Sequence, residues 1–576
     1  MNNREIAQKF YEVADILEIL GQNQFRVNAY RRAARTIESL PEDINELYKQ
    51  NKLTEIPGIG RGLKEKIEEL ITTGRSKEIE ALEQKAPKSV LELLSIEGLG
   101  PKKVKFLYKK LHIDSINDLI KLIKSHRLLK FKGWGEKSEI NILQGIEQYK
   151  KFSERLPLGI ALPIAEELAE KIKNIPGVKR VEICGSIRRR RETIGDLDLL
   201  AISAHPEKTI NSFVHLPAIK QIKASGPTKA NVVLKQGIEA DLRVIKPESF
   251  GAAMNYFTGS KAHNIHIRKL GQARNLKINE YGVFKKEKSD KFKFLTGAEE
   301  VNVFKSVGLP YIPPEIREDE GEIELAKQNK LPRLIEDKDI KGDLHCHSEA
   351  SDGADSIEEL VAYAQKVMGY KYLAITDHTP SVGVTHGLDA KRVLEQIKKI
   401  DRLNKKLRNF RILKGMEVDI KANGQLDLPN EILKKLDVVI AAIHTGFKQP
   451  TEIMTERIIK AIRNPYVKIL AHPTGRIINK RMPYNVDIEK VISEAKKLNK
   501  ILELNAYWNR LDLNDVNLKL AKKMGLKIVI NTDAHAKIEL KNMRYGVMTA
   551  RRGWIEAKDV INAWPLEKLL KFLKKT

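Results

Sequence analysis

The amino-acid sequence predicts a multidomain chain of α+β and α/β type: a helical N-terminal region, an α+β middle, and a C-terminal part whose βα units close as a barrel. Three observations carry this expectation. Apolar residues recur at helical spacing in the short segments Ile6–Leu20, Leu63–Thr72 and Val90–Leu94. Strand-like runs follow at Val181–Cys184, Leu197–Ile202, Asn231–Leu234 and Ala240–Ile245. Beyond Gly342, runs such as Tyr372–Thr376, Val438–Ile443, Ile469–His472 and Ile528–Thr532 alternate with amphipathic helices, the pattern of parallel βα units.

The 576 residues suffice for several cores, and a hydrophobic content of 42% excludes a disordered chain. The formal charge is +27, and the stretches before and after residue 340 are both basic. Such charge favours a polyanion, nucleic acid first and an anionic membrane surface second; a lysine-rich background is the plain alternative. The two cysteines, Cys184 and Cys346, exclude a disulfide framework and a cysteine-built zinc site. The segment Met1–Glu5 is polar, and no apolar run reaches the ~18 residues of a membrane span, so a cytoplasmic, membrane-free protein is expected.

One pattern occurs twice near the N-terminus. Ile56-Pro57-Gly58-Ile59-Gly60 precedes Leu63–Ile67, and Ile96-Glu97-Gly98-Leu99-Gly100 precedes Lys102–Lys105. A turn with two glycines leaves backbone amides free at the next helix's N-terminus, where a DNA phosphate is received. A single copy reads equally well as a helix-turn-helix connection with a glycine cap; two copies in a basic chain favour DNA. Each resembles the helix-hairpin-helix motif. The resemblance implies that carbonyls of Thr54, Ile56 and Ile59, then of Leu94, Ile96 and Leu99, hold a monovalent cation, Na⁺ or K⁺.

Residues 184–198 read Cys-Gly-Ser-Ile-Arg-Arg-Arg-Arg-Glu-Thr-Ile-Gly-Asp-Leu-Asp. Asp196 and Asp198, two apart on a strand, point to one face. Asp241 lies on another predicted strand, and three converging acids can hold two Mg²⁺ ions about 3.5–4 Å apart. A bare pair of strand aspartates is otherwise a solvated face. Gly185 and Ser186 offer donors near the phosphates, with Arg189 as a charged clamp. The Gly-Ser…Gly-Asp-x-Asp arrangement resembles the nucleotidyltransferase superfamily. Tyr256-Phe257-Thr258-Gly259-Ser260, with Asn264, Arg268 and Asn279-Glu280-Tyr281-Gly282, is similar to family X DNA polymerases such as DNA polymerase beta, over residues 1–318.

That resemblance implies Asp196, Asp198 and Asp241 as metal-binding catalytic acids. It places Gly185, Ser186, Arg189 and Gly195 on the incoming triphosphate. Tyr256, Phe257 and Gly259 would line the sugar pocket, while Asn264 and Arg268 face base pair and template. Lys261 stands where the vertebrate enzyme is acidic, and an extra cation there strengthens nucleotide binding. Lys66 and Tyr30 match the Schiff-base lysine and a nearby tyrosine of the 5′-deoxyribose-phosphate lyase, but Phe25 replaces a histidine. Lys66 reads equally as one more surface cation.

Thirteen histidines occur, several of them at predicted strand ends after residue 340. His345-x-His347 projects two imidazoles to one side of a strand, with Cys346 opposite and Asp352 just after. His378, Glu417, His444, His472, Asp533 and His535 lie on later strand ends, and a βα barrel gathers such ends at one mouth. His386 reads as an ordinary surface histidine. Together these residues resemble the PHP (polymerase and histidinol phosphatase) domain across residues 339–576. The resemblance implies a distorted seven-stranded barrel, about three metals bound by those nine residues, and Glu417 bridging two of them. An imidazole-rich mixed site favours Zn²⁺, Mn²⁺ or Fe over Mg²⁺ and suits phosphoester hydrolysis.

The expected division is a lyase-like helical domain with the first hairpin (1–86), a fingers-type helical domain with the second (87–150), a nucleotidyltransferase palm (151–250), a thumb-like nucleotide-selection domain (251–318), a linker (319–338) within the charged stretch Glu315–Lys341, and the PHP domain (339–576). The expected activity is template-directed filling of short DNA gaps with deoxynucleoside triphosphates, joined to hydrolysis at DNA 3′ ends, with abasic sites as a further candidate substrate. The expected partners are gapped or primer-template DNA, and the expected state is a monomer. Two alternatives stand beside this: a PHP half that is only a metal-stapled platform, and a template-independent nucleotidyltransferase fused to a small-molecule phosphatase.

Overall fold

A computed structural model describes every residue except 2, 41–42, 86–87, 97, 132, 154, 288–290, 382–384 and 575–576. Short helices occupy residues 3–153 and form two apolar cores. One gathers Phe10, Leu17, Tyr30 and Ile67, the other Leu99, Val104, Leu119 and Trp134. The expected boundary between them, at residues 86–87, lies outside the described residues. Gly58 (φ +82°) and Gly98 (φ +89°) adopt the left-handed conformation that a side chain resists, which is why the turns carry glycine there. Gly60 and Gly100 cap the helices Arg61–Thr73 and Pro101–Leu111 without a side-chain acceptor, leaving the amides of Arg61 and Gly62 in the first and of Lys102 in the second, where Pro101 has no N–H, to other partners. A third turn of the same build, Gly133-Trp134-Gly135, precedes a helix with Glu136 and Glu139 in its first turn. It escapes the sequence pattern because aromatics replace the aliphatic residues, and its acidic start suits a phosphate poorly.

The middle of the chain carries a five-stranded sheet: β1 (Val178–Ile183), β2 (Asp196–Ser203), β3 (Ile219–Ser225), β4 (Lys229–Leu234) and β5 (Glu239–Val244). The order is β1-β2-β5-β4-β3, with β2 and β5 parallel and the other pairs antiparallel. The edge strand β3 went unpredicted because it is exposed along most of its length and reads as polar. The helices Phe250–Thr258 and Lys261–Gln272 and a small sheet, β6 (Leu276–Asn279), β7 (Gly282–Lys286) and β8 (Phe292–Thr296), follow.

From Gly342 seven parallel strands succeed one another in chain order: β9 (Gly342–Asp343), β10 (Tyr372–Ile375), β11 (Arg411–Asp419), β12 (Val438–Ala442), β13 (Ile469–Leu470), β14 (Ile501–Asn505) and β15 (Ile528–Asn531). A parallel bridge between Cys346 and Ala534, with the His347 amide donating to the Ala534 carbonyl at 2.8 Å, brings the first strand onto the last. The ring is therefore closed as the βα alternation predicts.

The stretch Glu315–Lys341 is not an exposed tether. It contains the helix Glu322–Lys327, and Glu315, Arg317, Glu322 and Ile323 are buried. Its charges mislead because they are paired: Glu322 accepts from the His263 ring at 2.7 Å and from the Asp319 and Glu320 amides at 2.8 Å, and Arg317 is bonded to Glu300.

The barrel docks on the palm through two of its βα loops and the helix Met543–Arg552. Ile478, Leu511 and Tyr545 join the apolar core that includes Leu158, Leu197 and Leu242. Arg476 pairs with Glu192 at 2.7 Å, and Asn479 donates to the Arg155 carbonyl at 2.8 Å. Gly159 is seated against Trp508, whose Cβ and Cγ lie 2.4 and 2.8 Å from where a Cβ on Gly159 would stand. Gly159→Ala should therefore cost ~1–3 kcal/mol by overpacking and shift the tryptophan emission; an unchanged melting temperature and spectrum would refute this tight seat. Among the described residues, no helix is long and apolar enough to cross a membrane.

Two candidate active sites

The first site lies on the palm sheet. Register pairing sets Asp198 of β2 beside Asp241 of β5, and Asp196 beside Glu239. All four side chains share one face, because strand residues two apart point the same way. On β4, Asn231 donates to Asp241 Oδ2 at 3.1 Å and fixes its orientation. Burial, then the charges of Asp196 and Asp241, push the Asp198 carboxyl up to about 7, only partly offset by Arg243 and Arg189. Packed acids with too little cationic charge nearby fit divalent ions. The Ser186 hydroxyl is buried without a hydrogen-bond partner, so a donor stands ready beside them.

Several expected nucleotide contacts take on a second duty. Arg189 is no free clamp: its Nε donates to Glu318 at 3.1 Å and its Nη1 to the Thr258 carbonyl at 2.7 Å, since its guanidinium enters a partly buried space that demands partners. Asn264 donates to the carbonyls of Tyr256 (2.7 Å) and Gly259 (3.2 Å), holding the turn that carries Tyr256 and Phe257. Gly259 is indispensable there, because a Cβ would fall 2.5 Å from Asn264 Oδ1. Gly195 gives room to Arg155 Nη1, 2.9 Å from its would-be Cβ. Lys261 and Arg268 are exposed on the Lys261–Gln272 helix, and Arg268 Nε returns to the Asn264 carbonyl at 3.2 Å. Sequence reasoning missed Arg243, whose guanidinium lies 4.7 Å from the Phe257 ring centre and ties palm to thumb.

The raised Asp198 value fixes a pH dependence. Below its ordinary 3.8 the carboxyl is protonated folded and unfolded; above about 7 only its ionisation in the fold is penalised. Without divalent ions, stability attributable to this group therefore falls as pH rises through that window. Asp198→Asn should melt higher than the parent at pH 8 in chelator, with a smaller gap at pH 5; equal gaps would contradict the assignment.

At the lyase positions, Lys66 Nζ donates to the Gly62 carbonyl at 2.8 Å and pairs with Glu78 at 2.8 Å, and Glu78 also binds Arg26. Tyr30 is buried edge-on against Phe10, and burial pushes its hydroxyl up to about 12. Phe25 is 85% exposed.

The second site fills the barrel mouth. His345 and His347 face inward while Cys346 packs in the apolar layer behind them. Three groups of ligand atoms, each within 4.8 Å, form: His347, Asp352, His378 and His535; His345, His347, Glu417 and Asp533; and His378, Glu417 and His444. His472 Nε2 lies 3.1 Å from Glu417 Oε1. All nine expected residues thus meet, with Glu417 common to two groups. The palm acids form no such tight group among the described residues, as three carboxylates repel one another. His386, by contrast, is exposed.

Buried atoms test whether the mouth fits metal ions. His345 Nε2, His347 Nδ1, His378 Nδ1, His472 Nδ1 and Glu417 Oε2 have no hydrogen-bond partner. Lone pairs stripped of water and aimed at one another are costly, and cations between them remove that cost. Burial pushes the Glu417 carboxyl up, but the imidazoles of His378, His345 and His444 outweigh it and hold the group well below the usual range. Two carboxylates unforeseen from the sequence orient the rings: Glu503 accepts from His345 Nδ1 at 2.7 Å and Asp419 from His444 Nδ1 at 3.1 Å. An acid inside the apolar strand Ile501–Asn505 was the available signal for Glu503.

The chain matches the helix-hairpin-helix domain over residues 1–76, a SAM-like helix-hairpin-helix tandem over 90–148, the DNA polymerase beta thumb over 253–318 and the PHP domain over 343–507. It is 40% identical over 577 residues to the DNA polymerase/3′-5′ exonuclease PolX of Bacillus subtilis (strain 168), covering 100% of both chains. The chain belongs to the PHP-bearing family X DNA polymerases. Its barrel half is also 34% identical over 244 residues to a probable phosphatase of Thermoanaerobacter sp. (strain X514), covering 40% of this chain and 94% of the relative. A probable phosphatase of Acetivibrio thermocellus is 34% identical over 209 residues, covering 34% and 80%. The family X architecture accounts for the third glycine turn, which falls inside the matched tandem.

Proposed function

We infer that this chain is a DNA-directed DNA polymerase with a metal-dependent 3′-5′ exonuclease, the first activity on the palm and the second in the barrel mouth. The carrying observation is the coexistence of Asp198 beside Asp241 on paired strands with nine convergent histidine and carboxylate side chains in the mouth. Full-length similarity to a relative named for both activities supports it. The finer reading is gap filling in DNA repair on gapped or primer-template DNA, by a monomer in the cytoplasm, with the domain limits given above.

In the palm, two Mg²⁺ ions would be held by Asp196, Asp198 and Asp241, supplying a lowered 3′-hydroxyl pKa and charge for the departing pyrophosphate. Asn231 keeps Asp241 aimed, while the Ser186 hydroxyl and the backbone near Gly185 receive phosphate oxygens. The Tyr256–Gly259 turn, held by Asn264, shapes the sugar pocket. In the mouth, the nine side chains would hold about three Zn²⁺ or Mn²⁺ ions, which when bound would lower the pKa of water and offer charge to a phosphate. The uncapped amides of Arg61, Gly62 and Lys102 would receive backbone phosphates, with Na⁺ or K⁺ held by the turn carbonyls.

The test uses a 5′-labelled primer annealed across a one-nucleotide gap. Asp198→Ala should abolish extension yet keep Mn²⁺-dependent shortening, and His345→Ala should do the reverse. Both activities surviving in both variants would overturn the two-site reading. Shortening that survives His345→Ala would reduce the barrel to a platform, and extension without a template would favour a terminal transferase.

A further inference from the structure

Arg552 ends the helix Met543–Arg552 on the barrel side of the molecule, yet its side chain reaches the polymerase half. Its Nε and Nη2 grip Asp515 Oδ2 at 2.9 and 2.8 Å. Its Nη1 donates to the Arg189 carbonyl at 2.8 Å and to Glu318 Oε1 at 3.1 Å. The same Glu318 oxygen accepts from Arg189 Nε at 3.1 Å. One carboxylate thus stands among three guanidiniums, Arg191 Nη1 being the third at 3.7 Å, and the Arg552 side chain is only 4% exposed. Arg189 closes the short helix Gly185–Arg188, which carries Ser186 and lies against Asp198.

We propose that Arg552 is a positioning residue for the polymerase reaction: from the PHP half it fixes Arg189 and the end of the phosphate-binding turn for the incoming triphosphate. The proposal rests on the placement of Arg189 at that triphosphate. Two contacts act together. Bonding to the Arg189 carbonyl satisfies an acceptor that the end of the short helix leaves open, and so pins the backbone of the turn. Sharing Glu318 leaves that carboxylate divided among Arg189, Arg552 and the more distant Arg191, so Arg189 retains net positive charge for a phosphate instead of being neutralised by a private partner. Asp515 holds Arg552 from behind, its Oδ2 accepting from both Nε and Nη2 of the planar guanidinium. Arg552 touches neither substrate nor any of the nine mouth ligands, so its removal should be felt in nucleotide capture rather than in strand shortening.

The experiment measures single-nucleotide gap filling and exonuclease rates with the full-length protein and the variants R552Q, D515N and R189K. R552Q is expected to raise the KM for the deoxynucleoside triphosphate about tenfold, with kcat within about twofold and the exonuclease rate unchanged. D515N, which removes only the anchor behind Arg552, should raise KM in the same direction, and it decides the question if R552Q does not fold. A merely structural contact would lower kcat and both activities together, and that result overturns the proposal. An unchanged KM in R552Q and D515N, alongside a raised KM in R189K, also overturns it while leaving the triphosphate assignment intact. An unchanged KM in R189K would sink that assignment and the proposal with it.

Discussion

Gly185→Ala should lose primer extension by about 10²-fold or more while shortening of the same primer continues at the parental rate. Gly185 has φ +66°, and a Cβ there would stand 2.3 Å from Asp198 Oδ2 and 3.1 Å from its carboxyl carbon. The backbone resists any side chain at that φ, at roughly 1–2 kcal/mol, so the turn cannot simply absorb the methyl. What yields is the carboxylate or the turn itself, and either moves an acid away from its register partner Asp241. Catalysis that depends on preorganised charge is sensitive to displacements of this size. Extension within tenfold of the parent would mean that the turn and Asp198 do not form one site.

Glu417→Gln should empty the barrel mouth. The Glu417 oxygens are approached by His378 Nδ1 at 2.9 Å, His472 Nε2 at 3.1 Å and His444 Nε2 at 3.3 Å, with His345 and His347 at 3.5 Å. Neutralising the central carboxylate removes the charge that balances those rings and one ligand from two of the three groups. Metal content of the purified protein should fall, and exonuclease activity should drop by at least ~10²-fold, with gap filling preserved. Full metal content in the variant would show that Glu417 is not the hub of the cluster.

The sequence revealed these centres to different extents, for physical reasons. Strand periodicity located Asp196, Asp198 and Asp241, because alternation dictates which residues share a face. Histidines at successive strand ends located the mouth, because a barrel brings such ends together whatever their distance along the chain. What stayed hidden depends on partners far away in sequence. Arg189 reads as a free cation until Glu318 and Thr258 are seen beside it. Glu503 and Asp419 read as ordinary acids until the rings they orient are in place. The Glu315–Lys341 stretch reads as a linker because composition reports charge, whereas burial depends on whether each charge finds its opposite, as Arg317 finds Glu300. The strand β3 and the third glycine turn were missed for a simpler reason: their residues depart from the usual apolar signature.

The docking of Ile478, Leu511 and Tyr545 into the palm's interior bears on how this protein can be dissected. Severing the chain ahead of the barrel would strip greasy surface from the palm and leave Glu192 and Glu166 without Arg476 and Arg544. Synthesis and erasure are therefore joined through a shared apolar interior as well as through the backbone, and a palm severed from its barrel would present that interior to water.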